Sequence, residues 1–394
     1  MNRLAKKMTA TLLLFLLMLL LLQPQLLSAQ AASITQKPNK AGLKKEQSQI
    51  IMTVSTSPNA AFISEIALAS REINDALREA KQVQASTSGY YYDVDIVLQE
   101  SEGAKHFRLE HTGNLWNAAN GTRTVLSKKA ANRLVHLADG LRAQHYGKLV
   151  SWQESGQLLP NKSIFSVTEL DSGLTFEVQR RAGSDHADVQ PLTKEDTRIM
   201  KQIYEGKWSW KRKAVLIHSN DTWIAASMNG MPHGGDGIPE NGFSGHFCIH
   251  FQGSSTHKSD SPDPAHQIMV HKAAGQVNDY LDSAAPMTLA KTFIEILYHQ
   301  DTELLRLLGE ELPQDKLAAL ESFMGSLVSI REQVPQKGKD KEPEMELGSA
   351  LVTEINLPVS IHQLNEPRRN GYYRFSFKRA STASPWRIQD ISTS

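Results

Sequence analysis

The chain has 394 residues, a length that favours two or three domains over a single core. Its 43 basic and 42 acidic residues nearly cancel, which leaves no electrostatic footprint for nucleic acid. A hydrophobic content of 40% excludes bulk disorder, and the single cysteine, Cys248, excludes an intrachain disulfide.

The N-terminus reads as a secretory signal peptide over 1–31. Arg3, Lys6 and Lys7 precede an apolar run from Leu12 to Leu22, followed by Pro24 and the small-x-small site Ala29-Gln30-Ala31. That run is short against the roughly 20 residues a span needs, so no stable membrane span is expected after cleavage; counting from Met8 to Leu27 leaves an uncleaved anchor open. Residues 32–58 read as a flexible lead-in. Phe62, Ile66, Ala69, Ile73, Leu77 and Ala80 recur at helical spacing and predict a helix over 59–84. The period then changes to that of strands, over 90–99 and 105–112, with Glu102-Gly103 at the turn and a further strand at 122–126. Ser127 is placed to cap a helix carrying Leu134, Leu137, Ala138 and Leu141. Residues 59–150 thus read as an N-terminal helix and a small α/β module. Its scattered histidines form no chemical constellation.

Residues 151–281 read as a mainly β domain. Strands are predicted at 149–153, 163–170 and 174–182, with a hairpin turn at Asp171-Ser172-Gly173. Thr193 and Asp196 have capping-box spacing at the start of a helix. A strand pair turns at Asn220-Asp221 and delivers the chain to His233. A helix is expected to begin near Pro264. Residues 286–394 read as an α+β domain: a helix over Thr288 to Leu308, another over Lys316 to Glu332, a charged loop, then strands closing the chain.

The chemistry concentrates in 231–251, MPHGGDGIPENGFSGHFCIHF. A free thiol is mostly protonated at neutral pH, and a neighbouring imidazole changes that. His246 and His250 lie two residues either side of Cys248, so in a strand all three share a face. His233 lies fifteen residues upstream, joined by a glycine-rich segment able to turn back. A bend at the cysteine would present the Phe247 and Cys248 amides as oxyanion donors. A lone thiol in an exported protein is either buried and inert or used. Metal binding is the competing chemistry: His246, His250, His257, His186 and Asp188 are ligand types, although one cysteine does not make a structural zinc pattern.

PHGGDG followed by SGHFCIHF resembles the signature of the L,D-transpeptidases of the bacterial cell wall, in a divergent secreted Firmicutes-type form, over about 160–275. His233-Gly234 matches the first element; Ser244, His246, Cys248 and Ile249 match the second, with Gly245 inserted. Phe247 stands where the family has glycine, and His250 where it has arginine. The resemblance implies an α+β fold with a mainly β catalytic domain. It implies Cys248 as nucleophile, His233 as general base oriented by the Gly234 carbonyl, and His246 as an orienting imidazole. The Phe247 and Cys248 amides would be the oxyanion donors, the substrate a peptidoglycan stem peptide, and no cofactor is required. His250, Arg180, Arg181 and Arg212, with Lys211 and Lys213, are candidate carboxylate binders. The C-terminal domain resembles the cone-shaped nuclear transport factor 2-like fold. Two other readings stay open: a non-catalytic envelope protein with a degenerate site, and a zinc-dependent peptidoglycan peptidase.

Overall fold

The computed structural model describes residues 49–85, 89–100, 103–235, 237–256, 259–333 and 348–394. The expected signal peptide, lead-in residues 32–48, the charged loop 334–347 and His257 lie outside the described residues. The fold is α+β with antiparallel sheets, and its buried apolar residues form three clusters.

The first cluster belongs to a seven-stranded sheet of order β2-β1-β4-β5-β6-β7-β3. Its elements are β1 (Gln49–Val54), β2 (Ser64–Leu68), α1 (Arg71–Glu79), β3 (Lys81–Gln84), β4 (Tyr90–Glu100), β5 (Gly103–Glu110), β6 (Leu115–Asn117), β7 (Thr122–Val125) and α2 (Lys128–His145). Ser127 caps α2 as its position predicts, accepting from the Ala130 amide. Two expectations fail here. The lead-in contains a strand, β1, whose Ile50, Met52 and Val54 alternate into the core. The helix expected over 59–84 is a strand, a short helix and a strand. Ser64–Leu68 pairs antiparallel with β1, and helix α1 begins only after Ser70, whose hydroxyl accepts from the Ile73 amide. Sheet pairing overrides the helical spacing of Phe62 and Ile66.

The second cluster fills a closed six-stranded barrel of order β10-β13-β12-β11-β8-β9. Its strands are β8 (Ile164–Glu169), β9 (Thr175–Ala182), β10 (Ala187–Pro191), β11 (Lys213–Ser219), β12 (Thr222–Met228) and β13 (Phe247–His250); two helices, α3 (Trp152–Leu158) and α4 (Lys194–Ile203), accompany them. The strand expected at 149–153 is reduced to isolated parallel bridges, Lys148 with Ile224 and Ser151 with Gln252, and gives way to α3 at Trp152. Ser151 and Glu154 make a reciprocal capping box there, which outweighs the apolar residues Leu149, Val150 and Trp152. Thr193 and Asp196 make a second such box on α4. Asn220 and Asp221 both take positive φ, 48° and 58°, the geometry of a two-residue hairpin turn. Alternation sorts the barrel side chains. Val215, Ile217, Ile224, Ala226, Phe247 and Ile249 fill the interior, whereas Ala214, Leu216 and Ala225 belong to the third cluster, outside it.

The short strands β14 (Ser255–Thr256) and β15 (Ser259–Pro262) lead to the helices α5 (Pro264–Ala273), α6 (Val277–Ser283), α7 (Pro286–His299), α8 (Thr302–Leu308) and α9 (Gln314–Ser326). The last sheet is β16 (Leu327–Glu332), β17 (Val352–Gln363), β18 (Arg369–Lys378) and β19 (Arg387–Thr393), in chain order. Every residue of α5 from Ala265 to Ala273 is buried, because the barrel exterior and α7 both pack on it. The helix expected from Thr288 to Leu308 breaks at Gln300, which caps α7 in the left-handed region at φ 61°. The helix expected over 316–332 ends at Ser326; Leu327–Glu332 instead pairs with β17. No helix among the described residues is long and apolar enough to cross a membrane.

His145, at the end of α2, is buried, with Nδ1 2.9 Å from the Ser64 hydroxyl of β2. Burial, then the nearby Arg142 guanidinium, pulls its pKa down to about 4. The folded value lies below the unfolded one near 6.5, so the contribution to stability is complete above that pH and is lost as pH falls towards 4. Urea unfolding should show a loss on the order of 2 kcal/mol from this group between those limits. His145→Gln should flatten the slope by that amount, and an unchanged slope would refute the assignment.

Candidate functional site

Cys248 lies in β13 with its Cα opposite Asp188 of β10. Phe247 and Ile249 point into the barrel, so Cys248 and His250 face outward, as does Asp188 between the inward Ala187 and Val189. The side chain of Phe247 is fully buried between Phe176 and Phe243, at ring separations of 6.2 and 5.8 Å. It therefore points away from the thiol. The bend expected at the cysteine is absent: Phe247 and Cys248 stand in register with Val189 and Asp188. The oxyanion role assigned to these two amides loses the geometry it was based on.

His233 reaches the thiol through a closed loop. Its amide donates to the His246 carbonyl at 2.9 Å, and the His246 amide donates back at 2.7 Å. Two glycines in positive φ allow this approach, Gly234 at 77° and Gly245 at 83°. A Cβ on Gly245 would lie 2.2 Å from the His233 carbonyl oxygen, and one on Gly234 2.1 Å from the His246 ring. Buried Gln190 holds the loop from β10, donating to the Gly245 carbonyl and accepting from the Ile238 amide. Asn241 fixes it further, donating to the Pro191 carbonyl at 2.8 Å and accepting from the Phe243 amide at 2.8 Å.

The outcome is a thiol–imidazole pair. Nε2 of His233 lies 3.1 Å from Cys248 Sγ, and Nδ1 lies 2.8 Å from the Met231 carbonyl. A carbonyl accepts only from N–H, so Nδ1 carries a proton and Nε2 faces sulfur. The orienting carbonyl belongs to Met231, which corrects the role expected for Gly234; Gly234 supplies backbone freedom instead. His186 approaches with the same logic. Its Nδ1 is 2.9 Å from the Ser255 carbonyl and its Nε2 3.3 Å from Asp188 Oδ1. Asp188 Oδ1 also lies 3.9 Å from Cys248 Sγ and 3.5 Å from His246 Nε2.

Burial alone pushes the Cys248 thiol up, but the hydrogen bonds and charges of His186 and His233 outweigh it and leave the pKa below the ordinary value. The bond to Cys248 lifts His233 above its ordinary value against burial, helped by the Met231 carbonyl. Burial pulls His186 down, yet Asp188 and Cys248 raise it to about 10. Behind them runs a column of stacked rings, His186 on His250 at 4.4 Å and His250 on His266 at 3.6 Å. His266, which meets the Ser227 hydroxyl at 2.9 Å, is held neutral by burial and by His250.

The expected carboxylate binders do not gather here. Arg180 is buried and donates to three carbonyls, of Leu159, Gly183 and Ala182, while stacking on Trp152. Arg181 faces the opposite way on β9 and bonds Gln179. Arg212 is tied to Asp263 at 2.6 Å and to the Trp210 carbonyl. Lys213 faces Glu169 at 3.7 Å, and Lys211 reaches Gln300. His250 lies in the buried column rather than at a surface that meets substrate. Of the metal-ligand types, His186 and His250 gather with the thiol, whereas Asp188 and His246 gather with His233. Trp210, which is 39% exposed and 5.4 Å from the His233 ring, was not anticipated and flanks the open side of the site. Nor was Gln190, whose signal was a polar residue two positions from Asp188 on the same strand face.

No family model matches the chain, and a search of the curated proteins returns no match.

Gly245→Ala should separate the two imidazole-bearing segments, because both the φ and the facing carbonyl oppose a Cβ. We expect a loss of about 1–3 kcal/mol in urea unfolding and a fall in iodoacetamide labelling of Cys248 of about tenfold or more. Labelling at the native rate would show that the bridge does not position His233.

Proposed function

We propose that the protein is an exported cysteine acyltransferase of the L,D-transpeptidase type, acting on peptidoglycan stem peptides. The observation that carries this is the 3.1 Å contact between Cys248 Sγ and a His233 ring whose other nitrogen is fixed on a carbonyl. It supports nucleophilic acyl transfer because the pair supplies both an activated sulfur and a group to hold the proton. The divergent His233-Gly234 and Ser244-to-Ile249 motifs supply the substrate class. The outward-facing thiol and the inward-facing Phe247 ring are compatible with that reading despite the motif's departure from glycine.

In this mechanism His233 Nε2 takes the thiol proton and Cys248 sulfur attacks a peptide carbonyl carbon. The C–N bond breaks, the leaving amine receives the proton from His233, and a thioester remains on Cys248. An amine of a second stem attacks the thioester, its proton passes to His233, and the sulfur leaves; water in its place gives carboxypeptidase action. Asp188 and His186 keep the sulfur side of the site charged and ordered. The half-buried His233 and His246 and exposed Trp210 mark the side from which substrate enters. The C-terminal helices and four-stranded sheet are read as a nuclear transport factor 2-like domain, and the N-terminal leader as an export signal.

Incubation with a carbapenem followed by mass spectrometry should find one covalent adduct on Cys248. His233→Ala should slow its formation by about a hundredfold. A folded protein whose thiol reacts only after denaturation would rule out the enzyme and leave a non-catalytic envelope-binding role.

A further inference from the structure

Acyl transfer through a thioester puts negative charge on the attacked carbonyl oxygen, and that charge needs a hydrogen-bond donor held in place beforehand. The Phe247 and Cys248 amides do not bend out to supply one. We propose that the side-chain amide of Asn229 is the oxyanion donor of this site. The assignment rests on the acyltransferase reading and names a residue which that reading lacks.

Strand register places Asn229 beside the nucleophile. β12 and β13 pair Ser227 with His250 and Met228 with Ile249, and the ladder runs one residue further: the Asn229 amide donates to the Cys248 carbonyl at 3.4 Å. Asn229 and Cys248 are therefore direct cross-strand neighbours, a relation that sets Cβ atoms about 4.5–5.5 Å apart. Met228 and Ile249 fill the barrel, so alternation turns Asn229 outward with the thiol. Ser227, two residues earlier, has the same parity and meets His266 of α5 on the barrel exterior at 2.9 Å.

The carboxamide is oriented as well as placed. Its Oδ1 accepts from the Met231 amide at 3.3 Å. Of the two amide atoms only the oxygen can accept from N–H, so Nδ2 is the end left over. Asn229 is only 3% exposed, yet among the described residues its Nδ2 has no hydrogen-bond partner. Such a donor costs stability unless something supplies an acceptor, and a substrate oxyanion is one. The same Met231 fixes the base, because its carbonyl accepts from His233 Nδ1 at 2.8 Å. One backbone unit thus holds both the general base and the donor. The circuit runs from Asn229 through Met231 and His233 to the Cys248 sulfur, and returns through the Cys248 carbonyl.

Charge selects the side on which the oxygen comes to rest. Asp188, across the other ladder, has Oδ1 3.9 Å from Sγ and would repel an oxyanion on the β10 side. His233 takes the thiol proton and must face the leaving nitrogen. The β12 side remains, where Asn229 presents a neutral donor. As sulfur bonds to the carbonyl carbon, the π pair moves to oxygen and Nδ2–H donates to it. The pair returns as the C–N bond breaks, the amine takes the proton from His233, and the thioester is left on Cys248.

Two reactions of the same thiol separate this role from a structural one. Acylation by a carbapenem passes through an oxyanion; alkylation by iodoacetamide displaces iodide from a methylene carbon and does not. Both rates are measured by mass spectrometry on the full chain. The proteins are wild type, Asn229→Asp, which keeps an oxygen for the Met231 amide, and Asn229→Ala, which adds no charge and serves if the first variant fails to fold. The ratio of acylation to alkylation rate should fall by about a hundredfold in either variant. A change in thiolate content alone would slow both reactions together. An unchanged ratio therefore overturns the assignment, whether both rates hold or both fall; the second pattern would make Asn229 a residue that only positions Cys248 and His233. Wild type that alkylates but takes no carbapenem overturns the acyltransferase reading, and the donor falls with it. Carbapenem uptake with an unchanged ratio removes the donor alone.

Discussion

The site depends on one backbone contact, the reciprocal pair of hydrogen bonds between His233 and His246. It closes a segment that contains five glycines into a loop with two fixed ends. Without it, His233 would carry the conformational freedom of that segment, and a 3.1 Å approach to sulfur would be one arrangement among many. The two positive-φ glycines make the contact sterically possible, and Gln190 and Asn241 keep the intervening chain from competing with it.

The second constraint is the strand alternation of β13 and β10. A period of two sends Phe247 and Ile249 into the barrel and turns Cys248 and Asp188 outward together. The Phe247 ring is thereby spent on packing against Phe176 and Phe243. His250 stacks between His186 and His266. Both side chains belong to the interior support of the site, and neither blocks the thiol.

Helix α5 links this support to the rest of the molecule. Its buried His266 meets the histidine column, its Gln267 donates to the Phe251 carbonyl, and its Lys272 pairs with Asp301 beyond α7. Such buried polar groups are costly unless fully paired, so they fix how the barrel exterior and the C-terminal helices meet. Ionic contacts across the N-terminal sheet serve the same end, with Arg142 on Asp93 and Arg108 on Glu303.

The sequence determined by itself whatever depends on local chemistry. Ser127, Thr193 and Asp196 announced their helix starts, Asn220-Asp221 announced a hairpin, and the short interval around Cys248 announced a thiol among imidazoles, because caps, turns and i±2 neighbours act within a few residues. The helices expected over 59–84 and 316–332 give way where another strand offers backbone hydrogen bonds, as β1 does to Ser64–Leu68 and β17 does to Leu327–Glu332. Only the tertiary structure decided that His186 and Asp188, sixty residues before the cysteine, stand beside it, and that Arg180 and Arg212 are consumed by carbonyls and Asp263. Barrel closure brings β10 against β13, and nothing within either strand encodes which partner it will meet.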